Sequence, residues 1–529
     1  MCGIFAYLGQ DKDERTLMSH FNKIQHRGPD ESRFERIRRD IFFGFHRLAI
    51  NGLDQKSGQP FNLRNCHLIA NAEIFNHRQL ASKYDITLET SSDCEIIIHL
   101  YKKFGFEKML RLLEGEFAIV LYDTELDVVF AARDHIGVRG MYIGRSGKDP
   151  SVYGFASEGK ALVFMDQLEQ FKPAHFWRSD RPLEFKSFYE HEYPVEDLKD
   201  DKYFLEGISH LLEDAVKKRL MSERPVGCLL SGGLDSSLIA ALAAKNYKLD
   251  EKIETFSIGL EGSPDLYNAQ LVADHIGSKH HSVSCTERQF LDALEDTIYS
   301  LGSFDVTTIR ASVGHRLISQ YVKEHSDVKV LFSGETADEF GSYLYFQNAP
   351  SSEAFQDEAI RLLKDIHYFD NKRGDRSISS AGLEARIPFA DKNFIKFYMG
   401  IHPRFRMFSD QKMEKYLIRK AFEKDDLLPT EVLWRRKNGF SDSVSNMNKS
   451  WSTIIQDHID TLMTDEAFQK EKLIYQKDQP VSKEAFYYRS KFTETYKHHQ
   501  NLTPYQWLPK WCGDVSDPSA RVLKMYAGD

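Results

Sequence analysis

The second residue of the chain is a cysteine, Cys2, in the opening segment MCGIF. A free cysteine has a pKa of about 8.5 and is only a few per cent thiolate at neutral pH, so a nucleophilic thiol needs a base nearby. If Met1 is removed, the freed α-amine, with a pKa of roughly 7.7–8.0, supplies that base. The position predicts an N-terminal nucleophile, provided that other residues build a site around it.

A second reactive pattern is the segment LLSGGLDSS, residues 229–237, which follows an apolar run and precedes a helical pattern. Its glycines let the backbone approach a ligand closely, and its N–H groups and serine hydroxyls are suited to an anion. Asp235 is placed to carry Mg²⁺ against phosphates. No GKS or GKT follows, so the segment is not a Walker loop. The structural alternative is a tight turn with a good helix cap.

An acidic segment, FSGETADE at 332–339, follows another apolar run. Its Glu335, Asp338 and Glu339 are expected to supply a base and a second Mg²⁺ ligand, the latter being Asp338. Lys437, in WRRKNGFSD, would add positive charge next to phosphates. Together with residues 229–237, this segment predicts a nucleotide site.

The elements that must position these residues differ between the two halves of the chain. In the first two hundred residues, strand patterns occur at 41–50, 67–71, 117–123 and 128–132, and a helical pattern at 92–104. These patterns predict layered sheets. A charged stretch at 192–204 marks a domain boundary.

The second half alternates between strand and helix patterns. Strands are predicted at 226–230, 253–260, 281–284 and 328–333, and helices at 236–246, 268–277 and 287–301. Such alternation favours a parallel sheet covered on both faces. Because ligands bind beyond the carboxyl ends of such strands, the loops after Leu230, Leu260 and Phe332 are predicted to form the site.

Composition is that of a globular protein of more than one domain. The chain has 529 residues, of which 41% are hydrophobic and 28% charged. A net charge of −9 offers no reason to bind nucleic acid, and no window approaches the roughly 18 apolar residues of a membrane span. The six cysteines show no CxxC spacing, which argues against disulfides and zinc; with no signal sequence, a cytoplasmic location is expected.

Several motifs of the first half occur in the order found in a known family. Besides MCGIF they are HRGPD (26–30), HRL (46–48), NAEIFN (71–76), SSDCE (91–95) and RDHIGVRGMY (133–142). They resemble the class II glutamine amidotransferase domain, an N-terminal-nucleophile (Ntn) hydrolase with an αββα-sandwich. The resemblance implies Cys2 as nucleophile, and Asn71 with the backbone N–H of Ala72 as oxyanion hole. The implied glutamine-binding residues are Arg47, Leu48, Ala49, Ile50, Asn51, Asn71, Ala72, Glu73 and Asp93.

The segment SGGLDSS resembles the PP-loop of ATP pyrophosphatases, which transfer AMP to an oxygen of their substrate. A glutaminase half followed by a PP-loop half is similar to the glutamine-hydrolysing asparagine synthetase family, and further motifs such as GLEARIPFAD (382–391) extend the match over nearly the whole chain. The implied ATP-binding residues are Leu230, Ser231, Gly232, Gly233, Asp235, Ser236, Ile258, Ser333, Gly334 and Lys437. The implied contacts to aspartate or its adenylate are Thr307, Thr308, Arg310 and Glu339, with Glu335 as base for ammonia.

This resemblance implies an α/β fold whose N-terminal half is α+β. An αββα-sandwich Ntn-hydrolase domain at 1–190 is followed by a linker at 191–204 and a doubly wound parallel-sheet PP-loop domain at 205–529. The implied reaction makes L-asparagine from L-aspartate, L-glutamine and ATP through β-aspartyl-AMP, with ammonia passing internally between two sites. Mg²⁺ would accompany ATP, and family members are often homodimers.

The chain departs from the family's patterns in three places. Ala72 stands where glycine is usual, Gly140 where proline is usual, and SGETADEFGSY (333–343) replaces roughly SGEGSDExFGGY. Thr336 then occupies a glycine position. If residues 72 and 336 require a glycine-only conformation, both are strained, and the altered loop weakens ATP binding or reshapes the site.

Two alternative functions follow from the sequence. One is a related amidotransferase or cyclase that adenylates another carboxylate, although SPDL (263–266) and DVTTIRAS (305–312) favour aspartate. The other is a divergent homologue that is non-catalytic or uses ammonia alone. The altered loop at 333–343 is the feature that supports it.

Overall fold

The structure is a computed structural model that describes residues 1–195, 199–248, 251–409, 411–436, 445, 449–513 and 517. Its strands are β1 (Gly3–Leu8), β2 (Glu31–Arg38), β3 (Ile41–Arg47), β4 (Phe61–Leu63), β5 (Cys66–Ile74), β6 (Gly115–Asp123), β7 (Val128–Arg133), β8 (Tyr142–Arg145), β9 (Tyr153–Ala156), β10 (Gln167–Gln170), β11 (His175–Arg178), β12 (Phe185–Ser187), β13 (Val226–Leu229), β14 (Glu254–Leu260), β15 (Lys279–Cys285), β16 (Val330–Phe332) and β17 (Glu384–Arg386).

The α-helices are α1 (Glu14–Phe21), α2 (His77–Tyr84), α3 (Ile96–Phe104), α4 (Phe106–Leu112), α5 (Asp201–Arg219), α6 (Leu234–Asn246), α7 (Pro264–Ile276), α8 (Glu287–Asp292), α9 (Leu294–Leu301), α10 (Val306–His325), α11 (Ser352–Asp365), α12 (Asp370–Ser379), α13 (Lys392–Gly400), α14 (Pro403–Arg406), α15 (Tyr416–Ala421), α16 (Thr430–Leu433), α17 (Trp451–Leu462), α18 (Asp465–Glu471) and α19 (Lys483–Tyr496). Within the described part of the chain, no helix is long and apolar enough to cross a membrane.

The N-terminal half is a sandwich of two six-stranded antiparallel sheets. Their strand orders are β10-β8-β9-β1-β3-β2 and β12-β11-β7-β6-β5-β4. Buried side chains from both sheets, such as Phe43, Val120 and Trp177, form the core between them. Helices α3 and α4 pack on the outer face of the second sheet, and α1 packs against the first. The predicted αββα-sandwich is confirmed.

Strand pairing brings the start of β1 to the end of β3. The two strands are antiparallel, and Gly3 lies opposite His46. Cys2, which directly precedes β1, is therefore next to Arg47 and the segment that follows it. The sheet geometry alone thus joins two segments more than forty residues apart.

The second half contains a five-stranded parallel sheet of order β15-β14-β13-β16-β17. From β13 the chain adds strands outwards to β15 and then returns to the other side of β13 with β16. This reversal creates a topological switch point between β13 and β16, where open α/β sheets bind ligands. The predicted doubly wound parallel sheet is confirmed.

Two predicted helices differ in detail from the structure. The stretch 287–301, predicted as one helix, forms α8 and α9, separated at Ala293; its apolar residues Phe290, Leu294 and Ile298 are all buried. The helical pattern at 92–104 begins as a single 3-10 turn at 93–95, where the Ser92 hydroxyl accepts from the Cys94 N–H, and continues as α3. Serine capping competes with a regular first helical turn here.

Candidate active sites

Cys2 lies at the junction between the two halves of the protein. The Leu48 N–H donates to the Cys2 sulfur at 3.4 Å, and the thiol lies 3.6 Å from the Leu48 carbonyl oxygen. The Arg27 Nε donates to the Cys2 carbonyl oxygen at 3.0 Å. The nucleophile predicted from the sequence is thus held by β1, by the segment after β3 and by Arg27.

Met1 is fully buried next to this thiol. Its amine donates to the Leu383 carbonyl oxygen at 2.9 Å, and burial lowers the pKa of that amine to about 5. Burial also raises the pKa of the Cys2 thiol to about 11, so with Met1 attached the thiol stays protonated at neutral pH. Removal of Met1 would give Cys2 the α-amine itself. That step stays a prediction.

The central strand β5 carries Asn71, Ala72 and Glu73. Ala72 pairs with Phe117 in extended conformation, so the strain considered for an alanine at this position does not arise. The Asn71 side-chain amide is buried, and its nitrogen has no hydrogen-bond partner among the described residues. This orphaned donor is suited to an oxyanion, as predicted for Asn71.

Two interacting carboxyl groups are buried in this region, and the charge of one of them, Glu73, acts on the Cys2 thiol. Glu73 accepts from the Asn51 amide at 2.8 Å, and Asp93 accepts from the Ile74 N–H at 2.6 Å. Burial raises the pKa of both carboxyls; the charge of Glu384 adds to this effect at Glu73. Glu73 already pairs with Arg386 at 3.0 Å, and the α-ammonium of glutamine would be a further cationic partner for the two carboxyls.

Arg47 projects from the end of β3 into the same region. Its guanidinium donates to the Gly52 carbonyl oxygen and lies 3.5 Å from a Glu31 carboxyl oxygen. The intervening Leu48, Ala49 and Ile50 are all buried. The segment predicted to bind glutamine is therefore packed beside Cys2, while the roles of its residues stay predictions.

A cavity opens at the switch point between β13 and β16. The loop after β16 closely approaches the first turn of α6, which follows β13: a Cβ on Gly334 would lie 2.7 Å from the Ser236 backbone nitrogen. The predicted residues that line the cavity are Leu230, Ser231, Gly233, Asp235, Ser236, Ile258, Ser333, Gly334, Glu335, Asp338 and Glu339. Residues from two distant segments thus form one site, as expected for this topology.

Lys415 lies between two carboxylates of this cavity, and no motif in the sequence pointed to it. Its ammonium contacts the Asp235 carboxylate and lies 2.6 Å from Asp338 Oδ1. Burial alone would lower the pKa of Lys415, but the two carboxylates outweigh it and hold the pKa above its usual value. The residue lies in a left-handed backbone conformation, with φ of 57°, and its partners are 180 and 77 residues away in sequence, so a local pattern could not reveal the contact.

Glu335 is buried with two groups contributed by helices. The Arg373 guanidinium from α12 donates to it at 3.1 Å, and the His315 ring from α10 lies 3.6 Å away. Burial raises the pKa of Glu335 to about 7, although Arg373 opposes the shift. A carboxyl with a pKa near neutrality can accept a proton from an incoming nucleophile, as predicted.

Glu339 belongs to a second acidic group on the same wall. The Tyr343 hydroxyl lies 2.8 Å from Glu339 and 3.1 Å from Asp370. Burial and the charge of Asp370 raise the pKa of Glu339 well above its ordinary value. Asp370 and Arg373, which pair at 2.8 Å, were also absent from the sequence predictions.

Thr336 shows the backbone strain that the sequence suggested. Its φ is 78°, a region that β-branched residues avoid, and holding it there costs about 1–3 kcal/mol. Gly140, the other departure, has no left-handed backbone; a Cβ there would collide with the Arg376 guanidinium. Glycine at 140 therefore makes room for an interdomain arginine.

Some predicted residues lie elsewhere in the fold or outside the described residues. Arg310 pairs with Glu484 at 2.8 Å and with Asp517 at 2.8 Å, and the Thr308 hydroxyl donates to Asp305 at 2.7 Å. The Thr307 hydroxyl is buried and has no partner within the described part of the chain. None of these threonine and arginine side chains lines the cavity.

The basic segment 434–442 is only partly described. Lys437 lies outside the described residues. Arg435, two positions earlier, donates to the Gly232 carbonyl oxygen and to Asp265, each at 3.0 Å. The predicted basic segment therefore reaches the phosphate loop through Arg435, and Gly232 itself has a φ of 72°.

Helix α12 connects the two sites. Its first turn carries Asp370 and Arg373 into the cavity, and its later residue Asp375 accepts from Arg27 at 2.9 and 3.0 Å. Arg27 in turn donates to the Cys2 carbonyl oxygen. Buried polar contacts thus join the Cys2 backbone to α12, and the helix itself continues to the cavity.

Two family models match the chain. The model described as "Glutamine amidotransferase domain" covers residues 1–182, and the one described as "Asparagine synthase" covers residues 207–361 and 347–515. The curated "Asparagine synthetase [glutamine-hydrolyzing]" of Gallus gallus is 40% identical, over 99% of each chain. Its namesakes in Bos taurus and Homo sapiens are 39% and 38% identical, also over 99% of each chain. The chain therefore belongs to the family of glutamine-hydrolysing asparagine synthetases.

Proposed function

We propose that the protein is an ATP-dependent ligase that makes L-asparagine from L-aspartate and L-glutamine. The observation that carries the proposal is the presence, in one chain, of a thiol site and an acidic, phosphate-suited cavity linked by buried contacts through α12. The 40% sequence identity, over 99% of each chain, to a protein named asparagine synthetase supports aspartate as the acceptor. AMP, pyrophosphate and glutamate are the other products.

The first half-reaction releases ammonia from glutamine. With Met1 removed, the α-amine of Cys2 takes the thiol proton and the thiolate attacks the side-chain amide carbon of glutamine. The proton passes to the departing nitrogen as the C–N bond breaks, which releases ammonia and leaves a thioester. Water then hydrolyses the thioester to glutamate and restores the thiol. The Asn71 amide, which has no partner among the described residues, stabilises the oxyanion. Glu73 and Asp93 hold the α-ammonium, and Arg47 holds the α-carboxylate.

The second half-reaction activates aspartate. Its β-carboxylate is a poor electrophile, so it attacks the α-phosphorus of ATP and gives β-aspartyl-AMP with release of pyrophosphate. Ammonia then attacks the activated carbonyl and displaces AMP. Glu335, with its pKa near 7, accepts the proton that the incoming ammonia loses.

The residues at the cavity fit a magnesium ion that accompanies ATP. Asp235 Oδ1 is buried without a hydrogen-bond partner among the described residues, and carboxylate oxygens are the ligands that Mg²⁺ prefers. Asp235 and Asp338 would hold the ion, and Lys415, which contacts both carboxylates, would have to move aside. Bound there, Mg²⁺ would neutralise charge on the phosphates.

The proposal is tested by product analysis with two nitrogen sources in parallel. Purified protein receives MgATP and aspartate with either glutamine or ammonium, and AMP, pyrophosphate and asparagine are quantified. We expect all three products, in equal amounts, from both nitrogen sources. Absence of AMP in both reactions would refute the proposed function.

The alternative acceptors are tested in the same assay with a panel of carboxylic acids. Pyrophosphate release with another acid and none with aspartate would favour a related amidotransferase or cyclase. The non-catalytic alternative receives no support from the altered loop, because Glu335, Asp338 and Glu339 all line the cavity.

A further inference from the structure

Thr336 combines three features that a structural residue would not be expected to combine. It is 1% exposed, it lies in the left-handed region with φ of 78°, and its hydroxyl oxygen is buried without a hydrogen-bond partner among the described residues. A buried hydroxyl that lacks a partner destabilises the folded state, and the backbone conformation adds strain. A glycine at position 336 would avoid both the unpaired hydroxyl and the strained φ.

The surroundings of Thr336 indicate where its hydroxyl acts. Thr336 lines the same cavity as Ser236, Asp338 and Lys415, and belongs to the loop after β16. Asp338, two residues further on, contacts the Lys415 ammonium, and the arginines Arg373 and Arg435 line the same cavity, so this loop borders a cavity with cationic groups suited to phosphates. The apolar residues Leu230 and Ile258 lie on the strand side of the cavity instead.

The loop is held rigidly enough to direct a hydroxyl. The Ser333 N–H donates to the Arg386 carbonyl oxygen at 3.0 Å, and the Ser342 N–H donates to the Asp338 carbonyl oxygen at 2.9 Å. Glu335 is tied to Arg373. Gly334 abuts the Ser236 backbone, which leaves the loop little room to shift. A side chain held in this frame is preorganised for a ligand.

We propose that the Thr336 hydroxyl donates a hydrogen bond to a phosphoryl oxygen of ATP, and that this contact compensates for the strained backbone at a position where glycine would be unstrained. This inference rests on the proposed function, because it takes ATP as the occupant of the cavity. Thr336 is thus a nucleotide-binding residue particular to this chain's loop sequence SGETADEFGSY.

A matched pair of variants isolates the hydroxyl. Thr336→Ala and Thr336→Ser both lose the γ-methyl group, but only the serine keeps the hydroxyl. Titration calorimetry with MgATP on the full chain should show a Kd about three- to tenfold weaker for Thr336→Ala than for Thr336→Ser. Thr297→Ala, which removes a threonine hydroxyl that donates to the Ala293 carbonyl oxygen just before α9, should bind MgATP like the parent.

Two further measurements locate the contact and separate it from folding. Adenosine, which lacks phosphates, should bind Thr336→Ala and Thr336→Ser equally. Thr336→Gly should show a higher urea midpoint than the parent because the strain is relieved, yet bind MgATP as weakly as the alanine variant. Urea midpoints of all variants establish that each one is folded.

The unfavourable outcomes separate a failure of the role of Thr336 from a failure of the proposed function. Equal MgATP affinity of the alanine and serine variants, beside a parent that binds MgATP and forms asparagine, would overturn the role of Thr336 and leave the proposed function standing. A loss of affinity for adenosine equal to that for MgATP would also overturn it. A parent that binds no MgATP would overturn the inference together with the proposed function.

Discussion

At the scale of single residues, burial decides the protonation of both candidate reactive groups. The Cys2 thiol has a raised pKa while Met1 is attached, and Glu335 has a pKa raised to about 7. In the proposed mechanism, the first shift keeps the thiol protonated until the α-amine of Cys2 is freed, and the second lets Glu335 act as a base near neutral pH. The same physical cause therefore has opposite consequences at the two sites.

Replacement of the nucleophile should separate the two activities. Cys2→Ala is expected to lower glutamine-dependent asparagine synthesis at least about 1,000-fold, because the thioester can no longer form, while ammonium-dependent synthesis stays within about twofold. Steady-state assays with each nitrogen source measure this. Cys66→Ala, which removes a buried thiol at the start of β5, serves as control and should keep both activities. Equal loss of both activities in Cys2→Ala would contradict the assignment.

The raised pKa of Glu335 predicts an acidic limb in the rate profile. A general base acts in its deprotonated form, so ammonium-dependent synthesis, referred to the concentration of free NH₃, should rise about tenfold per pH unit below 7 and level off above it. Initial rates between pH 5.5 and 9 measure the profile. In Glu335→Gln the rate should be low and this limb should vanish. A limb that persists in the variant would assign the titration to another group.

At the scale of elements, the site depends on the close approach of the loops after β13 and β16. Gly334→Ala would place a Cβ 2.7 Å from the Ser236 nitrogen, and backbone atoms cannot yield as a flexible side chain can. We expect a loss of about 1–3 kcal/mol in unfolding free energy and at least tenfold weaker MgATP binding, measured by urea unfolding and calorimetry.

Gly374→Ala is the matched control for this substitution. Gly374 lies inside α12, and a Cβ there would make ordinary contacts, at 3.7 Å to Ile387 and 3.8 Å to Glu335. Because alanine favours a helix over glycine, this variant should be stabilised by up to about 1 kcal/mol. If Gly374→Ala lost as much unfolding free energy and MgATP affinity as Gly334→Ala, the close contact of Gly334 with Ser236 would not explain the loss.

At the scale of the whole molecule, a buried ion-pair network around Arg219 extends across the contact between the two halves. Asp391, at the start of α13, pairs with Arg219 at 2.9 Å and with Lys218 at 2.8 Å, and Arg219 also reaches Glu116 of β6 at 2.9 Å. Burial by itself would raise the pKa of Asp391, but the two cations outweigh it and hold the pKa well below its usual range. The interface therefore has an electrostatic component that depends on pH.

Breaking this pair should destabilise the protein in a pH-dependent way. A carboxyl whose folded pKa is depressed stabilises the fold above its unfolded pKa of about 3.9, and this contribution is lost as pH falls below it. Asp391→Asn should therefore cost about 3–5 kcal/mol at pH 7, and the difference from the parent should shrink below pH 4. Urea unfolding at both pH values tests this.

Asp465→Asn provides the comparison for Asp391→Asn. Asp465 is 85% exposed and pairs with Lys483 at 2.7 Å on the surface, where an ion pair contributes little. The variant should stay within about 1 kcal/mol of the parent at both pH values. A cost as large as that of Asp391→Asn would mean that burial is not the cause.

The amino-acid sequence by itself determined the local features of this protein. The periodicities of β13, α6, β14 and α7, the glycines and serines of residues 229–237, and the cysteine behind Met1 are properties of neighbouring residues, and propensity and spacing express them directly. Even the departure at Thr336 was visible, although its φ of 78° was not.

Only the tertiary structure decided which distant groups meet. Lys415 contacts Asp235 across 180 residues of sequence, and Arg386 pairs with Glu73 at 3.0 Å although the two belong to different sheets. These partners have no common local pattern, since their proximity results from the strand order at the switch point and from the packing of the two halves. Burial, which sets the pKa of Cys2 and Glu335, is likewise a property of the packed molecule.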